Sequence, residues 1–583
     1  MISAEPRLAS AVPADPLPPM PLRQVQRAGR VFGAKAIPWA FFATMAPLAQ
    51  ARATPVGPMP SQGLHPIDWA VVLVFVAAML ALGAYYSRRQ SDNQEYFIAA
   101  NRPIRPIFVG ISLYAALLST ISYLGKPGEM INKGPVLLLS QILSIPLAYV
   151  IVTRWLLPRI MQERVTSAYE LLERRLGLVG RVVGTILFLS LRIVWMGLLI
   201  YLAAVAVTVV VQVDEKHLGL VAAAIGIVPI LYASMGGLRT IVITEVVQFA
   251  LLLTGAIATI IIISIHCGGF SWWPTTWAPE WDAQPVFSLD PYVRVTLVSG
   301  LVNMLLWRVA TAGGDQMAIQ RFMATGDLAA ARRSYAVTSI ATVVVTAILA
   351  VLGLALLGYF QRFPQLLGGG LTIKADGDRL FPYFIAHLLP VGLKGLVVAA
   401  VMAGPMSSIG AGVNAITAVV SKDYIDRFGV KFRSARRQTL LTKLMALTIG
   451  GLVVLASIGI KGVPGNFMEV TNKTAALEST PIFALFFLAL FVPFATPLGA
   501  VIGTAYGLAT CVLVAFWDLI SGRPAISFQY IGLLGFLVNI GVGCLVSRYG
   551  PRREDLRSSI NAGAVGLFIL AAGITLLIGF ARR

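Results

Sequence analysis

From residue 66 onward one pattern repeats along the chain: apolar runs of about 20 residues separated by short stretches rich in Arg, Gly and Pro. A helix of that length crosses the hydrocarbon core of a bilayer. The runs fall near 66–87, 104–124, 135–153, 180–212, 217–236, 241–266, 291–312, 333–360, 386–420, 438–460, 466–491, 495–517, 525–547 and 560–581. They predict an all-α polytopic membrane protein of about fourteen transmembrane helices. A soluble bundle would need a polar face on each helix, and runs such as 241–265 and 560–581 have almost none. The 386–420 run is too long for one upright span. It predicts a short interfacial helix followed by a span that starts near Gly392.

Composition agrees. Of the 583 residues 57% are apolar and 12% charged, against about 25% charged in an ordinary soluble protein. A net charge of +20 raises the possibility of a nucleic-acid partner. However, the basic residues sit in short loops between spans: Arg88, Arg89, Arg102 and Arg105; then Arg154, Arg159 and Arg164; later Arg239, Arg321 and Arg427. The alternate loops are poor in them, and 267–290 has no Lys or Arg. Such alternation orients a protein in a bilayer and requires no nucleic acid. It predicts a bacterial-type inner (cell) membrane protein, multi-pass, with the N-terminus of its first span outside. The three cysteines and four histidines have no metal-ligand spacing, and a disulfide framework is excluded.

Residues 1–64 read as a separate N-terminal extension, rich in Pro, Ala and Arg. Within it Trp39–Ala51 ends on Ala49-Gln50-Ala51, which reads either as a signal-like segment or as part of a disordered tail. Residues 65–583 form the transmembrane domain.

Several segments match a known family in order and spacing. Glu95-Tyr96-Phe97-Ile98-Ala99-Ala100-Asn101-Arg102 and Thr166–Gly177 resemble segments of the sodium/solute symporters. So do Tyr232–Gly237 with Thr244–Gln248, Asp315-Gln316 with Gln320-Arg321-Phe322, and Met406-Ser407-Ser408 with Asn414 and Lys422-Asp423. The resemblance implies a LeuT-like architecture: two inverted five-helix repeats, one extra helix before them and three after. It implies sodium-coupled transport of a small solute by alternating access.

Sodium is a hard cation that takes several oxygen ligands. Within a membrane these come from hydroxyls and from carbonyls freed where a helix unwinds. Gly404-Pro405-Met406-Ser407-Ser408 supplies a proline, which deprives a nearby carbonyl of its helical donor, followed by two hydroxyls. Spacing alone reads these serines as bonding back to their own helix. The resemblance instead implies sodium ligation by Ala115, Leu118, Gly404, Ser407 and Ser408, and places Glu245 near the ion's cytoplasmic exit. From the residues alone, Glu245 reads as capping a helix at the membrane boundary.

Polar side chains within spans are candidates for function. The resemblance implies that Ser122, Gln141 and Ser144 line the solute pocket, joined by Asn472 on the eleventh span. Arg308 sits mid-span in Leu305-Leu306-Trp307-Arg308-Val309-Ala310, where a lone guanidinium requires a partner or water. It either pairs with an acid such as Glu478 or Glu129, or grips a substrate carboxylate; Arg192 is a second candidate for the latter role. The resemblance puts Arg308 at a substrate-facing position, which favours an organic anion such as a monocarboxylate, with a sodium/sugar symporter as the alternative. Gly125-Lys126-Pro127-Gly128 reads as a break in the second span.

No nucleotide loop, metal cluster or nucleophile–base pair points to an enzyme, and no cofactor is expected beyond Na+ as coupling ion. A membrane solute sensor on the same fold is a further alternative. Proton coupling would favour a titratable acid where the two serines stand. The oligomeric state is not legible in the sequence.

Overall fold

The computed structural model describes residues 63–88, 104–162, 167–283, 285–368, 370–421, 435–460 and 466–550. The N-terminal extension with its signal-like segment, the Glu95–Arg102 match, Lys422-Asp423 and the last apolar run, 560–581, lie outside the described residues.

Every long element among the described residues is a helix. They are α1 (Pro66–Arg88), α2 (Pro106–Leu117), α3 (Thr120–Asn132), α4 (Val136–Ile151), which runs through a π turn into α5 (Leu157–Gln162), and α6 (Ala168–Val211). Next come α7 (Leu218–Cys267), α8 (Leu297–Gly314), α9 (Gln316–Met323), α10 (Leu328–Arg362), α11 (Gly377–Leu388) and α12 (Leu393–Val420). The series ends with α13 (Ala435–Gly459), α14 (Phe467–Phe491), α15 (Pro497–Ala515), α16 (Trp517–Ser521) and α17 (Gln529–Tyr549). Among the described residues eleven helices are long and apolar enough to cross a membrane, and twelve if the bent pair α2–α3 counts as one span.

Local sequence explains the main interruptions. At 50 residues, α7 would be roughly 75 Å long, well over twice the thickness of a hydrocarbon core. It breaks at Gly237 (φ 64°, ψ −166°), a conformation that a side chain disfavours. The two runs predicted at 217–236 and 241–266 therefore lie on either side of a glycine hinge. The helix α6 starts on a capping box between Ser167 and Glu170 and breaks at Gly177, where the Thr166–Gly177 motif ends. In the long 386–420 run a span, α12, begins after Gly392 as expected, while the short helix before it, α11, starts at Gly377 and has only its last residues in the run. Buried Asp68 near the start of α1 pins that junction by accepting the N–H groups of Gly392 (2.7 Å) and Gly395 (2.8 Å).

The centre of the molecule is α12, buried on nearly all sides. It packs against α7, α6 and α1 and touches both halves of the bent pair. An all-round apolar helix is what such a position needs.

A broken helix facing a proline helix

The break between α2 and α3 bends the chain by 69°. Its cause is local. Leu118 is extended (ψ 102°), and Ser119 caps α3 by accepting the Ser122 N–H on its hydroxyl at 3.2 Å. The hydroxyl thus replaces the Leu118 carbonyl, which would accept that N–H in a continuous helix.

Opposite the break lies the proline of α12. Gly404 permits the contact: a Cβ there would fall 2.7 Å from the Thr120 nitrogen. Pro405 has no N–H to offer the carbonyl four residues earlier, Val401, and that carbonyl accepts the Thr120 hydroxyl at 2.8 Å. The carbonyl released by proline is therefore used in tying α12 to α3. Ser407 Oγ stands 2.9 Å from the Ala115 carbonyl and 2.8 Å from that of Gly404, while Ser408 Oγ donates to the Ala116 carbonyl at 3.0 Å. The two serines thus reach across to α2, and the reading in which they only bond back to their own helix is corrected. Ala115, Gly404 and Ser407 converge directly. Ser408 bonds one residue further along α2, at Ala116, and Leu118 follows at the extended end of the break. All five are buried. The groups that converge here are neutral hydroxyl and carbonyl oxygens.

Beside this junction is a cavity of about 150 Å³ bounded by α2, α3, α4, α6, α8, α10 and α14. Ser122, Gln141, Arg308 and Asn472 line it, and Leu118 and Ser408 face it from the junction. Ser144 stands behind Arg308 and holds it: Arg308 Nε donates to Ser144 Oγ at 3.0 Å and Nη2 to the Gln141 carbonyl at 3.2 Å. The amide of Asn472 donates back to Met468 on its own helix at 2.7 Å.

The partners suggested for Arg308 are settled in part. Glu129 is taken by Arg294, whose Nη1 and Nη2 donate to its two oxygens at 2.8 and 2.9 Å. The side chain of Glu478 lies outside the described residues. Among the described residues no carboxylate pairs with Arg308. Arg192, the second candidate for gripping a substrate, also reaches the cavity, but it pairs with Asp315, the N-cap of α9.

Sequence reasoning missed Lys126. It read only as part of a break, yet it lies inside α3, lines the cavity, and donates from Nζ to Thr346 Oγ1 at 2.8 Å. A lysine within an apolar run was the available signal. Pro127 beside it drew the reading towards backbone geometry. Trp195 and Trp307 were missed too, because aromatic residues in spans carry no signal of facing a cavity.

Towards the other end of the bent pair, Glu245 on α7 accepts Arg321 Nη2 at 2.6 Å, and Ser112 on α2 bonds to both residues. Glu245 and Arg321 are almost completely inaccessible to solvent. A helix-capping role for Glu245 at the membrane boundary is corrected: it closes a buried ion pair between α7 and α9.

A polar cluster surrounds Glu129 at the far end of α3. Asp378, on the short helix α11, accepts the Phe467 N–H at 2.8 Å and packs against Gly128. Burial pushes its carboxyl up to about 7, and the charge on Glu129 pushes it the same way.

The chain matches the description "Sodium:solute symporter family" over residues 96–507. It is 25% identical over 505 residues to the sodium/sialic acid symporter SiaT of Proteus mirabilis, covering 84% of this chain and 96% of that one. It is 26% identical over 457 residues to the sodium-coupled monocarboxylate transporter 1 of Xenopus laevis, covering 77% and 71%. In fold it resembles a solved outward-open, substrate-bound Na+-coupled sialic acid symporter (TM-score 0.69, 24% identity, 83% of this chain and 98% of that one). A multi-pass helical bundle with a family match over most of its length is a transporter and not an enzyme, and this chain belongs to the sodium:solute symporter family.

Proposed function

We propose that this chain is a sodium-coupled symporter for small organic anions, working by alternating access across a bacterial-type inner membrane. The observation that carries this reading is Arg308, a guanidinium in the central cavity held by a hydroxyl and a carbonyl, with no carboxylate partner among the described residues. An unneutralised cation at this depth is costly. A solute carboxylate offsets that cost through a two-pronged bond, whereas a neutral sugar leaves the charge standing. Relatives that carry sialic acid and monocarboxylates support the same class.

In this proposal Ala115, Leu118, Gly404, Ser407 and Ser408 ligate the sodium ion. Ser122, Gln141, Ser144, Arg308 and Asn472 bind or position the solute. Sodium bridges α2 and α12, which belong to different halves of a LeuT-like pair of inverted five-helix repeats. Counting α7 as two spans and adding the 560–581 run brings the twelve spans to the fourteen read from the sequence. The N-terminus of the first span lies outside, and the Glu245–Arg321 pair lies on the ion's path to the cytoplasm. Coupling follows because each ligand raises the affinity of the other by the same factor.

Proteoliposomes holding the purified chain test this. An inward sodium gradient is expected to drive accumulation of a labelled carboxylate, and Arg308→Gln to abolish it. Carboxylate uptake that proceeds equally well without sodium counts against the reading, as does accumulation of glucose alone.

A further inference from the structure

We propose that Lys126 is a second anion anchor in the central cavity and that the preferred solute is a small dicarboxylate. This inference rests on the cavity being the solute site. Lys126 and Arg308 stand on different helices, α3 and α8, yet both face the one cavity. Each is held from behind by neutral groups: Lys126 by the Thr346 hydroxyl on α10, Arg308 by Ser144 and the Gln141 carbonyl on α4. An ammonium has three N–H donors and a guanidinium five. Lys126 uses one of them, and Arg308 two, on the described residues.

The described lining carries three cations, Lys126, Arg192 and Arg308, and one carboxylate, Asp315. That carboxylate is committed to Arg192. Two positive charges therefore face the same low-dielectric space without a counter-charge among the described residues, and each raises the cost of burying the other. A monocarboxylate neutralises only one. A solute with an acidic group at each end lets Arg308 take one carboxylate as a fork and Lys126 the other as a point charge. The apolar stretch between two such groups suits the rest of the lining, where Trp195, Trp307 and Met304 stand.

The test uses the full chain, purified and reconstituted, with propionate, succinate, glutarate and glucose as probes. Sodium-dependent thermal stabilisation and labelled uptake are both measured. Succinate or glutarate is expected to bind at least tenfold more tightly than propionate. Lys126→Met is expected to lower the preference for dicarboxylate over propionate by about tenfold to a hundredfold, and Lys126→Arg to restore it. Where Lys126→Met does not fold, Thr346→Val, which loosens the anchor without removing the charge, is expected to lower the same preference.

Propionate binding with sodium as tightly as the dicarboxylates overturns the second anchor and leaves anion symport standing. The same holds if Lys126→Met weakens both classes equally, or if Thr346→Val leaves the preference untouched. A response to glucose and to no carboxylate overturns both.

Discussion

Arg321 and Glu245 meet at 2.6 Å, both almost completely shielded from solvent, with Ser112 bonded to each. Three helices far apart in sequence, α2, α7 and α9, are thereby joined. Removing one partner strands the other charge in low dielectric, which costs about 3–5 kcal/mol. Arg321→Ala is therefore expected to lower the thermal midpoint clearly in detergent. If the pair also lies on the ion's exit, Glu245→Gln slows sodium release, which single-turnover against steady-state uptake separates. A variant as stable as the parent removes the pair from the fold's essential ties.

The sodium assignment predicts that Ser407→Ala and Ser408→Ala each raise the sodium concentration for half-maximal uptake by about tenfold or more. Ser407 approaches two carbonyls and Ser408 one, so the first substitution is expected to be the more damaging. Sodium titration of uptake checks this, and an unchanged half-maximal concentration in both variants rejects the site.

Arg308→Lys keeps the charge but loses the fork. Its expected effect is a KM for the carboxylate raised about tenfold, with sodium dependence retained. Ser144→Ala is expected to act more weakly in the same direction, because Ser144 positions Arg308 and does not itself line the cavity.

Asp378 predicts a pH dependence. Its carboxyl is raised to about 7, chiefly by burial, then by Glu129, while the Phe467 N–H, Arg294 and Lys133 oppose the rise. The folded state thus holds this proton more tightly than the unfolded chain does. Its contribution to stability is fully present below the ordinary carboxylate value near 4 and is lost progressively as pH rises through 7, with about 1.4 kcal/mol of that loss falling between pH 6 and 8. The thermal midpoint is expected to fall across that interval in the parent and to stay flatter in Asp378→Asn.

Much of the architecture was legible along the chain because a bilayer imposes length and polarity on each span. The glycines at 177 and 237, the helix start after Gly392 and the apolar character of α12 are local properties, and the structure places elements accordingly. Proline chemistry was legible too, but its target was not. Pro405 frees the Val401 carbonyl, and only the approach of Thr120 shows that this oxygen serves packing.

Which charges meet was decided in three dimensions. Glu129 had several conceivable partners, and folding gave it Arg294, 165 residues away; Arg192 went to Asp315, and Glu245 to Arg321. Residue order fixes helices through bonds spanning four positions, whereas ion pairs and cavity walls depend on which helices pack together. The chain alone therefore determined that this is a many-helix membrane protein with polar groups inside its spans. The packing of α2, α3, α4, α8 and α10 decided that Lys126 and Arg308 face one cavity and that no carboxylate among the described residues pairs with either, because distance through the fold sets an electrostatic interaction.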